Sequence, residues 1–127
     1  MDQQNGVPRV KPSDVEAVID RTYYFTGAQG AMHEGARWVG NAHEDDAELG
    51  LVTICVVVLK NGFKIIGSSC CAHPAMFEAS IGRDLAREDA IEQIWPILGY
   101  QLKDALHREA AERRAAGLFD NALGDEQ

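Results

Sequence analysis

The sequence predicts a small α+β domain. Three observations carry this: an Asn61-Gly62 dipeptide between two apolar runs, a capped segment at Ser13, and apolar residues at helical spacing from Phe77 to Leu106. The architecture they imply is an N-terminal capped helix, an antiparallel β-hairpin sheet with room for a third strand, and a long kinked C-terminal helix on one sheet face. At 127 residues the chain is one domain, with about average apolar (46%) and charged (25%) content.

The elements follow in order. Residues 1–12 read as a loose, proline-punctuated lead. Ser13 followed by Glu16 has the spacing of a capping box, with Val15, Val18 and Ile19 as the buried face of a helix from Asp14 to about Arg21. Tyr23-Tyr24-Phe25 switches to β-favouring aromatics and predicts a short strand or anchoring segment. Residues 26–50 form a glycine-rich loop ending in the acidic run His43-Glu44-Asp45-Asp46, interrupted at most by Ala36 to Val39.

Residues 51–116 carry the hairpin and the kinked helix. Asn-Gly is the strongest short-range hairpin signal, because a two-residue turn needs positive φ at both positions. Pairing Lys60 with Phe63 then puts Val52, Ile54, Val56 and Val58 on the core face with Phe63, Ile65, Gly67, Ser69 and Cys71. The other face, with Thr53, Cys55, Val57, Leu59 and Ile66, is still apolar and calls for cover, so a symmetric oligomer is expected. Pro74 suits the first position of a helical turn. Phe77, Ile81, Leu85, Ile91, Ile94, Trp95, Leu98, Leu102 and Leu106 then recur at helical spacing, with a kink or break near Trp95 from Pro96 and a stop at Gly117. Residues 117–127 read as a polar tail.

These motifs are similar to those of a family of small tailed-bacteriophage proteins named after genes 49 and 66 of two phages. The resemblance rests on an ordered set: Thr53-Ile54-Cys55-Val56, Leu59-Lys60-Asn61-Gly62-Phe63, Gly67-Ser68-Ser69-Cys70-Cys71 and Pro74 to Phe77. Next come the helix Gly82-Arg83-Asp84-Leu85-Ala86-Arg87-Glu88-Asp89-Ala90 and the segment Ile94-Trp95-Pro96-Ile97-Leu98-Gly99-Tyr100-Gln101-Leu102. Met76 departs from the polar residue usual at its position. The resemblance implies a phage origin and a fold, and brings no settled activity.

Composition excludes several functions. A net charge of −8, from 20 acidic and 12 basic residues, opposes general nucleic-acid binding. No apolar run is long enough to span a bilayer and no signal region opens the chain, so a soluble protein of the host cytoplasm is expected. Cys55, Cys70 and Cys71 are odd in number and lack framework or zinc spacing, so free thiols are expected, and with them no metal and no cofactor. There is no phosphate-cradling glycine motif and no nucleophile elbow. The paired carboxylates Asp45-Asp46 and Glu88-Asp89 fit solvated surfaces, and a non-enzyme is expected.

One ligand signal stands out. Arg83 and Arg87, four residues apart, share a helical stripe and repel one another unless an anion or carboxylates intervene. The ordinary reading is a solvated face paired by acids. The functional reading joins the two arginines to Trp95, Tyr100, Tyr24 and Trp38 in a pocket for a small anionic nucleotide-type ligand, between copies of the chain. On that reading the protein is a non-enzymatic phage accessory factor in host takeover, countering defence by sequestering a nucleotide-type immune signal. The alternative is an acidic module, using Glu44 to Asp46, that inhibits a host enzyme or defence protein. The partners expected are another copy of the chain and either the anionic ligand or the host protein.

Overall fold

The computed structural model describes the backbone of residues 2–4 and 6–125 and the side chains of residues 6–118. It is an α+β fold in which one long helix lies across a three-stranded antiparallel sheet. The lead is not loose: β1 (Asp2–Gln4) and β2 (Val7–Arg9) pair as a small hairpin, with Gly6 at φ +76. The Asn5-Gly6 dipeptide is the sequence signal for it.

Helix α1 runs Pro12–Val18, ahead of the sequence expectation, and its cap is Lys11 rather than Ser13. Pro12 takes the first helical turn, where no N–H bond is needed, and the Asp14 carboxylate accepts from the Lys11 N–H at 2.9 Å. Val15 is its buried residue. The chain then extends into β3 (Ile19–Thr26), the third strand of the sheet.

Residues 27–51 hold more structure than a plain loop. Thr26 caps the short helix α2 (Gly27–Ala31): its hydroxyl accepts from Gln29 N–H (3.1 Å) while Gln29 Oε1 accepts from Thr26 N–H (2.8 Å). A turn of 3-10 helix spans Ala47–Leu51, capped by Asp46, and residues 36–39 form no element.

β4 (Val52–Leu59) pairs with β3 on one side and β5 (Lys64–Cys70) on the other. The hairpin register differs by one residue from the sequence expectation, because the loop has three residues. Gly62 N–H donates to Leu59 O, Leu59 N–H donates to Phe63 O (both 2.8 Å), and of the turn residues only Gly62, at φ +88, has positive φ. Asn61 instead accepts from the Phe63 N–H with its side chain at 2.9 Å. This is a turn followed by a left-handed glycine, not a two-residue turn. A one-residue slip exchanges the faces of one strand. Thr53, Cys55, Val57 and Leu59 therefore line the core with Ile65, while Val52, Ile54, Val56 and Val58 lie on the other face with Ile66.

Helix α3 (Ala79–Asp125) is 47 residues long and continues through Pro96 and past Gly117, so neither residue ends it. The side chains of the predicted tail from 119 onward, and residues 126–127, fall outside the described residues. Gly82, Ala86, Ala90, Ile94 and Leu98, spaced by four, form the ridge that meets the sheet. Small residues come first because the helix backbone rests on β5: a Cβ on Gly67 would lie 2.6 Å from Ala90 N. Ile94, Leu98, Val15, Val57 and Cys55 fill the centre. Ile81 and Leu85, expected in the core, are each 50% exposed because the ridge beside them carries the contact.

Candidate functional site

Arg83 lines an open cleft of about 230 Å³ with Tyr24, Phe25, Thr26, Gln29 and Phe77. The placement follows from the fold. Tyr24 pairs with Cys55 on the helix-side face of the sheet, and the first turns of α3 carry Arg83 alongside that strand. Among the described residues Arg83 has no ion-pair partner. The cleft thus combines one unpaired cation, hydroxyl and amide groups, and aromatic faces, which is a donor set for an anion attached to a flat or apolar body.

Arg87 is occupied. Its guanidinium donates to both oxygens of Glu16 on α1, at 2.8 and 2.7 Å. That hydrogen bond raises the guanidinium pKa further. Arg87 also acts on its neighbours. The Tyr24 hydroxyl is held above its ordinary pKa, first by burial and then by Cys55, with Arg87 opposing. Burial likewise pushes the Cys55 thiol up, with Tyr24 and Arg87 opposing.

The remaining predicted residues lie elsewhere. Trp95 packs half-buried against the core cluster, twelve residues along the helix from Arg83, or about 18 Å at 1.5 Å per residue. Tyr100 is 75% exposed, about 26 Å along the same helix by the same measure. Trp38 donates through Nε1 to Ala31 O at 2.9 Å and lines a separate 150 Å³ cavity with Met32, His43 and Leu49. The structure therefore brings Tyr24 and Arg83 together, sets Arg87 beside them as an ion-pair partner of Glu16, and leaves Trp95, Tyr100 and Trp38 apart. Sequence reasoning missed Gln29, Thr26 and Phe77. The Thr26-x-x-Gln29 capping spacing was the available signal for the first two.

Other groups are accounted for locally. Among the described residues no set of three or more histidine, cysteine or acidic side chains clusters as for a metal ion, and no helix is long and apolar enough to cross a membrane. The three cysteines are free. In the acidic loop Glu44 and Asp45 are exposed, whereas Asp46 accepts from the Glu48 N–H at 3.1 Å.

The chain matches the family model described as Phage protein (N4 Gp49/phage Sf6 gene 66) family over residues 10–106, from just before α1 into the second half of α3. No curated protein and no solved structure gives a significant match.

Proposed function

The chain belongs to the N4 Gp49/Sf6 gene 66 family of phage proteins, and from that premise we propose that it is a binding protein, not an enzyme, that sequesters a small anionic nucleotide-type molecule in the Arg83 cleft. In the host cytoplasm this would remove an immune signal during infection. The observation that carries the reading is the unpaired Arg83 guanidinium beside Tyr24 and Phe77 in a cleft that also offers Gln29 and Thr26. Arginine forms forked bonds to phosphate, and an aromatic ring gives a base a surface to stack on. The role of Arg87 changes on this reading: it holds α1 against α3 through Glu16 and does not contact the ligand.

The test is a thermal-shift panel of cyclic nucleotides and ADP-ribose-type compounds on the purified protein. A stabilising member is expected, with its shift lost in Arg83→Ala and kept in Trp95→Phe. An unmoved melting curve across the whole panel overturns the reading. The inhibitor alternative draws on the exposed Glu44 and Asp45. It gains support if the panel fails and one host protein is captured in stoichiometric amount by wild type but not by Glu44→Lys/Asp45→Lys.

A further inference from the structure

The two edges of the sheet are treated differently. Leu59 N–H to Phe63 O (2.8 Å) and Cys71 N–H to Leu51 O (2.9 Å) fix the hydrogen-bonding phase of β4 against β5. Odd-numbered residues of β4 bond to β5, so even-numbered residues of β5 point their backbone groups outward. Two of those outward groups are closed by α3. Asp89 accepts from the Ser68 N–H at 2.9 Å, and Gln93 Nε2 donates to Ile66 O at 2.7 Å.

The same phase sets the other edge. The even-numbered residues of β4 bond toward β3, where Phe25 pairs with Ile54, Tyr23 with Val56 and Arg21 with Val58. Thr22 and Tyr24 therefore direct N–H and C=O away from the sheet. Among the described residues no side chain bonds to those backbone groups. The next outward N–H, that of Thr26, is taken by Gln29 Oε1 at 2.8 Å. An uncovered edge of this kind is a template for another strand.

We infer that β3 is the seam along which a second copy of this chain adds, antiparallel, about a twofold axis at Tyr23. In that register Thr22 and Tyr24 of one copy exchange both backbone bonds with Tyr24 and Thr22 of the other, and the four open groups on each edge are satisfied together. Side chains agree with it. Tyr23 lies opposite itself in the closer, non-bonded pair, and Arg21, whose charge is offset by Asp20 at 2.6 Å, lies opposite Phe25. Apart from Arg21 the paired stretch from 21 to 25 is uncharged, so the net −8 of the chain is not concentrated at the seam. A second copy is the occupant because it brings the same open edge, and one association closes both. Helix α3 packs chiefly over β5 and β4, and it is the outer edge of β5, not that of β3, that its side chains close. The result is a six-stranded sheet with both Arg83 clefts on one face. The seam follows from backbone accounting alone and stands whether or not a nucleotide binds.

The test is native mass spectrometry with light scattering on the full chain, with circular dichroism to confirm folding. Wild type is expected as a dimer or an even multiple of one. Tyr23→Lys and Tyr23→Glu are each expected to lose the pairing and to regain it when mixed, since the position faces itself. Thr22→Pro, which removes an outward N–H without touching the β4 ladder, is expected to lose it as well. Ile66→Lys, on the open face but at the far strand, is expected to keep it. A wild-type monomer, a Tyr23→Lys protein that stays paired, or loss of pairing in Ile66→Lys overturns the inference; the last would assign the contact to the sheet face.

Discussion

Asp89 accepts a hydrogen bond from the Ser68 backbone N–H at 2.9 Å, so a helix side chain closes a strand edge 21 residues away. Gln93, one turn on, does the same for Ile66 O. Removing either leaves a backbone group of β5 to water. Asp89→Ala and Gln93→Ala are each expected to lower unfolding stability by about 0.5–1.5 kcal/mol. Asp89→Asn keeps an acceptor and should lose less. Urea titrations of the three variants check the order.

Gly67 is the point of closest approach between α3 and the sheet. A methyl group there meets Ala90 N at 2.6 Å and Ala90 Cβ at 2.8 Å, and neither is the end of a flexible side chain. Gly67→Ala is therefore expected to lift the helix and to cost about 1–3 kcal/mol, the usual range for overpacking. Gly99→Ala is the control, because nothing lies within 4 Å of a Cβ at that position. It should be neutral or stabilising, by about 1 kcal/mol at most, as alanine favours helix over glycine. The two melting temperatures should move in opposite directions or differ clearly in size.

The contrast between these glycines explains how much of the fold is legible in the chain. The hairpin, the third strand and the long helix can be read because alternation and helical spacing are local patterns. The register cannot, since Asn61-Gly62 serves both a two-residue and a three-residue loop, and the difference lies in one backbone angle. The rotation of α3 is hidden for a related reason. Ile81 and Leu85 look like a core face by hydropathy, but Gly82, Ala86 and Ala90 face the sheet, because Gly67 allows backbone contact there. In the site, the Arg83/Arg87 spacing correctly marks one helical stripe. Only the fold reveals that Glu16, 71 residues away, occupies one of the pair.

Cys55 and Tyr24 make stability depend on alkaline pH. Burial raises both pKa values in the folded chain, so the fold favours their neutral forms. Their contribution is complete below the unfolded values, about 8.5 for a thiol and about 10 for a phenol. It is lost as pH rises through the folded values. Denaturation midpoints are expected to hold from about pH 6 to about 8 and to fall above about 9. Cys55→Ala should lower stability throughout and flatten the first part of that decline. In the native protein a thiol reagent should label exposed Cys70 first and Cys55 only on unfolding.

Arg83 and Arg87 should separate cleanly by phenotype. The Arg87–Glu16 pair is partly exposed, with side-chain accessibilities of 36% and 54%, so its loss should cost no more than about 1 kcal/mol and less at high salt. Arg83 has no ion-pair partner among the described residues, so its removal should leave the melting temperature near wild type. In ligand binding the order reverses: Arg83→Ala loses the nucleotide-type ligand, whereas Arg87→Ala retains most of it. Arg83→Lys keeps the charge but not the fork, and should bind more weakly than wild type by about tenfold if the contact is bidentate, equivalent to about 1.4 kcal/mol. Calorimetric titration of the three variants, each first matched for folding by circular dichroism, decides the matter. Equal losses of binding in Arg83→Ala and Arg87→Ala would return both arginines to the ligand.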